Sequence, residues 1–151
     1  MPEHQATYRI LYRDIDSMGV LYYGRYLALF EMGRVEWLRT EGIRYRDLED
    51  EQQVILPVRH AECDYRTPLK YDDIALIHTW IEAWSGTTLR FGHRIECAET
   101  GKFCASGSVE LACVDRSTHR PTRLPQKVVE VLTSTSADKK LRSRVRAKSG
   151  E

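Results

Sequence analysis

From Ile74 to Val114 the chain reads as three consecutive strands joined by two four-residue turns, and this constrains the fold more than any other feature. Ile74 to Trp84 alternates, with Ile74, Leu76, His78, Trp80, Glu82 and Trp84 on one face. Ser85-Gly86-Thr87-Thr88 is a hairpin turn, Leu89 to Ala98 the next strand, Glu99-Thr100-Gly101-Lys102 the next turn, and Phe103 to Val114 the last long strand. Parallel strands need a crossover of a dozen residues or more, so turns this short force antiparallel neighbours. Val54 to about Arg66 adds a strand interrupted near Pro57, and Thr7 to Tyr12 is β-branched and aromatic enough for another.

Only one stretch has a sustained helical period. Between Gly24 and Arg39, Tyr26, Phe30, Gly33 and Trp37 fall on one side, opposite Arg25, Glu31, Arg34, Glu36 and Arg39. Gly33 on the apolar side costs about 1 kcal/mol of helix propensity relative to Ala, which points to close approach to a sheet. Gly42 is a helix stop, and residues 44–52 form a short helix or loop. One amphipathic helix against an antiparallel sheet predicts an α+β domain, the helix packed on one sheet face.

Charge divides the chain. Residues 1–135 hold 17 Lys and Arg against 20 Asp and Glu, while residues 136–151 hold 6 against 2. An acidic folded part argues against nucleic acid as a partner. Residues 1–133 are expected to be the domain, and 134–151 a basic, disordered tail in which Thr133 to Ala137 serve as a polar linker. No apolar run reaches the 18 residues of a spanning helix, and the polar N-terminus lacks the apolar core of an export signal, so a cytoplasmic protein is expected. Cys63, Cys97, Cys104 and Cys113 contain no Cys-x-x-Cys pair and are expected to be reduced thiols in or beside strands.

The densest polar cluster is Asp14-x-Asp16 ahead of Gly19 and the helix start. Asp-x-Asp-x-x-Gly is ordinary turn chemistry, and either residue fits a solvated turn. The same spacing also sets a carboxylate beside a helix N-terminus, whose unpaired N–H groups can hold a carbonyl oxygen while the carboxylate attacks or activates water. No His or Cys nearby completes a metal site. His60, His78, His93 and His119 are scattered and read as ordinary strand or surface residues. There is no Gly-x-Ser-x-Gly elbow, Walker loop or dinucleotide-binding glycine motif.

Tyr12-Arg13-Asp14-Ile15-Asp16-Ser17-Met18-Gly19-Val20-Leu21-Tyr22-Tyr23-Gly24-Arg25-Tyr26-Leu27, followed by Phe30-Glu31-Met32-Gly33-Arg34, resembles the 4-hydroxybenzoyl-CoA thioesterase family, and within it the branch of the bacterial Tol–Pal-cluster acyl-CoA thioesterase. Tyr65-Arg66-x-Pro68 through Asp72-Asp73 and Gly86-Thr87-Thr88-Leu89-Arg90-Phe91 extend the likeness to residues 7–132. The resemblance implies a hotdog fold, a homodimer or homotetramer with its active site at the dimer seam, and cofactor-free, metal-free hydrolysis of an acyl-CoA. It implies Asp16 as nucleophile or general base, and the helix-start N–H of Tyr23, with Gly24 beside it, as the donor that polarises the carbonyl. Asp14 stays structural, and Glu31 is expected to support the helix on the sheet. Arg66, Lys70, Thr87, Thr88 and Arg90 are candidates for CoA, whose phosphates favour cations and hydroxyls. Close relatives carry His where this chain has Tyr23; a backbone donor survives that change. Two other readings of the same fold are a non-catalytic acyl-CoA-binding or regulatory module and a hydratase or dehydratase. The second wants a His near the helix start, and none lies between His4 and His60.

Overall fold

The computed structural model describes residues 3–134. Seven strands and three helices follow in the order β1 (His4–Arg9), α1 (Arg25–Thr40), α2 (Tyr45–Asp50), β2 (Val54–Ile55), β3 (Val58–Tyr65), β4 (Ile74–Trp84), β5 (Thr88–Cys97), β6 (Phe103–Ala112), β7 (Val114–Asp115) and α3 (Gln126–Ser134). Five strands form one antiparallel sheet in the order β1-β4-β5-β6-β3, and β2 pairs with β7 separately. The sheet curves around α1, the hotdog arrangement that the resemblance implied.

Alternation decides which sheet face is buried. Ala75, Ile77 and Ile81 of β4, Leu89, Phe91 and Ile95 of β5, and Ala105, Val109 and Leu111 of β6 are all buried and face α1. The helix answers with Tyr26, Phe30 and Trp37, the last two fully buried. Two glycines set the spacing. A Cβ on Gly33 of α1 would lie 2.3 Å from Thr79 Oγ1, and one on Gly107 of β6 would lie 2.2 Å from the Glu62 carbonyl and 2.6 Å from the Phe30 ring. The close approach expected at Gly33 is real. Gly42 stops α1 as expected, at φ +86°, a left-handed conformation that costs glycine nothing, with the Ile43 N–H returning to the Leu38 carbonyl.

Several boundaries differ from the sequence reading. The first strand ends at Arg9 rather than Tyr12, because Tyr12–Asp14 winds into one 3-10 turn held by Asp14. The long strand expected from Val54 splits at Pro57: without an N–H, Pro57 separates β2, which pairs with β7, from β3, which pairs with β6. Cys113 likewise separates β6 from β7. Helix α3 was not anticipated. It follows Pro125, buries Val128 and Leu132, and takes in Thr133 and Ser134, read above as linker; their hydroxyls bond back to carbonyls of the preceding turn. The tail expected beyond Ser134 lies outside the described residues. All four cysteines are free, and burial pushes the Cys104 and Cys113 thiols up to about 11.

His93 is fully buried between the sheet and α1, stacked on Phe30 with centroids 4.5 Å apart. Its Nδ1 lies 3.0 Å from Thr79 Oγ1. Burial, helped by the nearby Arg34 charge, lowers its pKa from 6.5 to about 3. The unfolded chain therefore binds a proton across that window that the folded chain refuses, so stability falls as pH drops from 6.5 toward 3. His93→Asn keeps a hydrogen-bonding group near Thr79 but removes the titration. Its melting temperature should fall less steeply than the wild type's between about pH 6 and pH 4. Parallel slopes in thermal melts would refute this account of the acid limb.

Candidate active site

The segment between β1 and α1 folds as a compact loop whose two aspartates do different things. Asp14 points inward and is 2% exposed. Its Oδ2 accepts the Tyr8 hydroxyl and the Leu11 N–H, both at 2.8 Å, and its Oδ1 lies 3.6 Å from Arg25 Nε. It is a structural carboxylate that shapes the loop, committed on both oxygens.

Asp16 points outward. Its Oδ1 accepts the Met18 N–H at 2.8 Å, and its backbone N–H and carbonyl bond to the Val20 carbonyl and the Gly19 N–H. Gly19, at φ +79°, closes this small turn. Oδ2 has no protein partner among the described residues. One carboxylate oxygen thus fastens the loop while the other stays without a protein partner among the described residues. The loop is docked onto the turn before β4 by the Leu21 N–H to the Leu69 carbonyl and by a bridge between Val20 and Lys70.

Asp16 lines a cavity of about 220 Å³ together with Leu21, Tyr23, Tyr26, Tyr65 and Arg66. Tyr23 stands at the start of α1 with an exposed ring. Its carbonyl accepts the Tyr65 hydroxyl at 2.8 Å and the Tyr26 N–H at 3.4 Å. Its own N–H and that of Gly24 have no protein partner among the described residues. Gly24 is the helix N-cap and brings no side-chain cap. The site therefore combines a carboxylate with two unused donors at the positive end of a 16-residue helix.

Tyr65 was not singled out from sequence, although it stood inside a quoted motif. It donates to the Tyr23 carbonyl, and its ring meets that of Tyr26 edge-on at 5.0 Å. Burial, with Cys63 alongside, pushes its hydroxyl up to about 12, and burial also raises that of Tyr26. Tyr65 and Tyr26 thus line the cavity as neutral phenols. Glu31 is exposed and makes no hydrogen bond or ion pair among the described residues, so it does not brace the helix on the sheet as expected.

The five CoA candidates divide into two groups. Arg66 lines the Asp16 cavity and Lys70 lies on the turn that docks the loop; both are exposed. Thr87, Thr88 and Arg90 lie at the other end of β4, an 11-residue strand spanning on the order of 35 Å. Within one protomer they do not reach the Asp16 cavity. Thr88 Oγ1 is 2.6 Å from Ser85 Oγ inside the hairpin, and Arg90 pairs with Glu82 and Glu62 at 3.0 and 2.7 Å. Among the described residues no group of three or more His, Cys, Asp or Glu is placed to hold a metal ion, and no helix is long and apolar enough to cross a membrane.

The chain has relatives that cover most of it. Residues 10–132 match the model of the thioesterase-like superfamily. An acyl-CoA thioesterase of Haemophilus influenzae, YbgC, is 33% identical over 120 residues, covering 80% of this chain and 87% of that one. An Escherichia coli acyl-CoA thioester hydrolase, also YbgC, is 35% identical over 121 residues, covering 80% and 89%. Among solved structures, a DHNA-CoA thioesterase from Staphylococcus aureus superposes with a TM-score of 0.85 at 26% identity, covering 100% of this chain and 97% of that one. The match over residues 10–132, which takes in the Asp16 loop, α1 and strands β3 to β6, makes this protein a member of the thioesterase-like superfamily, with its hotdog fold.

Proposed function

We propose that the protein is a metal-independent enzyme that hydrolyses acyl-CoA thioesters to the free acid and CoA. The observation that carries this reading is the pairing, at one cavity, of the Asp16 carboxylate with the unused N–H of Tyr23 at the start of α1. A thioester carbonyl seated there has its oxygen on the Tyr23 N–H, with Gly24 next to it. Charge gathers on that oxygen as the carbonyl carbon becomes tetrahedral, and a donor aimed at it is worth about 10²–10³ in rate. The free Oδ2 of Asp16 either attacks the carbon directly, leaving an acyl anhydride that water cleaves, or takes the proton of an attacking water. The thiolate of CoA departs in both cases. Arg66 and Lys70 supply cations beside the cavity mouth for CoA phosphates.

The resemblance also implies an oligomer, and the sheet explains why. Among the described residues β3 pairs only with β6, so one edge of its eight residues has no neighbour there, and Val58 and Tyr65 on it are 54% and 46% exposed. Antiparallel pairing of β3 with its copy would continue the sheet and remove that edge. It would also bring the hairpin end of one protomer, with Thr87, Thr88 and Arg90, toward the Asp16 end of the other. Light scattering should therefore give at least a dimer at micromolar concentration. A proline at Ala61, in the middle of β3, should shift the species toward a monomer of about 17.6 kDa. A wild-type monomer would overturn the arrangement.

The activity is tested with a panel of acyl-CoA esters and a thiol-reactive dye, with and without a chelator. Release of free CoA, unchanged by the chelator, is the expected result. Binding without release would instead mean a non-catalytic acyl-CoA module, and hydration of an enoyl-CoA would mean a hydratase.

A further inference from the structure

A second and larger cavity, about 400 Å³, lies toward the other end of α1. Its walls come from α1, Tyr45 of α2, the segment Leu56–Val58 and Leu111 of β6. Most of this lining is apolar. The one hydroxyl, on Tyr45, is already used: it donates to the Leu56 carbonyl at 3.0 Å and accepts the Leu56 N–H at 3.2 Å. Two charged residues remain, Glu31 on the exposed side and Arg34 within.

Arg34 is the unusual member. It is 9% exposed, and its guanidinium touches no hydrogen-bond acceptor or carboxylate among the described residues; burial works against its charge, and the Glu31 carboxylate favours it only from a distance. Glu31, three residues earlier on the same helix, does not come within ion-pair distance. Arginine keeps its charge at any pH a protein tolerates, so this group cannot escape burial by losing its proton. A largely buried cation that no acceptor touches is expensive, and chains as a rule pair or bond such groups. Here five N–H donors in a planar fork border an apolar space of ligand size.

We propose that the Arg34 cavity binds the carboxylate of an apolar acid, the guanidinium taking both oxygens while Val35, Leu38, Leu56 and Leu111 cover the apolar body. A planar carboxylate matches the fork, and a hydrophobic tail matches the walls. Two sources offer this chemistry. One is the free acid that thioester hydrolysis releases. The other is the far end of an acyl-CoA that carries a second carboxylate; this source deepens the reading above and rests on it.

The test has two arms. In the first, octanoate is titrated calorimetrically into the full chain, with octanamide as the uncharged control. Octanoate should bind at least tenfold more tightly, and Arg34→Met should abolish that preference. The same substitution should raise the melting temperature of the free protein, because a largely buried charge that no acceptor touches has gone. Arg34→Lys keeps the charge without the fork and should retain a weakened preference, which guards against a Met variant that fails to fold. In the second arm, kcat/KM is compared for suberoyl-CoA and octanoyl-CoA. A ratio that drops at least tenfold in Arg34→Met identifies the acyl end as the source. An unchanged ratio, with product inhibition by octanoate relieved, identifies the free acid. Equal binding of octanoate and octanamide by the wild type would overturn the proposal. So would an Arg34→Met variant with smaller oligomers and a lower melting temperature, since Arg34 would then belong to a contact between subunits. The first arm needs no hydrolysis, so its failure and the failure of the thioesterase reading are told apart.

Discussion

Asp16→Asn is expected to lower kcat for acyl-CoA hydrolysis by 10²-fold or more, leaving the melting temperature within a degree or two of wild type. The amide cannot attack a carbonyl or take a proton from water, and a general base alone contributes about 10²–10⁴. Its side-chain oxygen can still accept the Met18 N–H that Asp16 now holds at 2.8 Å, so the turn remains closed. KM should change little, because the substitution leaves Arg66 and Lys70, the cations offered to CoA, in place. The neighbouring carboxylate supplies the control. Asp14→Ala removes the buried acceptor of the Tyr8 hydroxyl and the Leu11 N–H, two half-buried groups, at a cost of about 1–3 kcal/mol in all. The two aspartates therefore separate by readout: one substitution moves the rate, the other the thermal midpoint. An Asp16→Asn enzyme that keeps more than half the wild-type kcat would remove Asp16 from the mechanism.

Gly107→Ala is expected to be the most destabilising single methyl in the protein. The added carbon would fall 2.2 Å from a carbonyl of β3 and 2.6 Å from the ring of Phe30, itself fully buried. Neither neighbour is the free end of a flexible chain, so strand or helix must move, and overpacking of this kind costs about 1–3 kcal/mol. At about 2–4 °C per kcal/mol for a chain of this size, the midpoint should drop by roughly 2–12 °C. Gly33→Ala meets Thr79 Oγ1 at 2.3 Å but recovers about 1 kcal/mol of helix propensity, so its loss should be smaller. Calorimetric melts of both variants check the order. A Gly107→Ala protein as stable as wild type would mean that α1 does not rest on β6 as described.

How much of this was legible beforehand depended on how local the cause was. The β4–β5–β6 meander could be read because alternation and short turns are properties of adjacent residues. Gly33 could be read because a glycine on the apolar side of a helix has few other uses. The partition of β2 from β3 was half visible: Pro57 marked the break, but nothing nearby showed that Val54 would find Asp115 instead of continuing along β6. Helix α3 had its signals in Pro125 and in Val128 and Leu132 four apart, overshadowed by the charge change that follows. At the site, Asp16 could be picked out by pattern. The bond from Tyr65 to Tyr23 joins residues 42 apart, and the scatter of the CoA candidates follows from the length of β4; both are facts of topology. Arg34 was counted on the polar side of its helix, since a helical period shows which side faces the sheet but not what α2 and Leu56 cover from the flank.

The Tyr65 hydroxyl ties the peptides at the start of α1 to what happens at the sheet's margin. Tyr65 is the last residue of β3, and the group it holds is the carbonyl of Tyr23, one peptide unit from the N–H assigned to the thioester oxygen. A strand that gains a neighbour along its open edge becomes stiffer, and that stiffness passes through one 2.8 Å bond to the peptides that flank the donor. Turnover per active site should then depend on protein concentration, falling on dilution below the dissociation constant of the assembly and recovering when the sample is concentrated again. In Tyr65→Phe that dependence should flatten, because assembly would have lost its mechanical link to the peptides that flank the proposed donor.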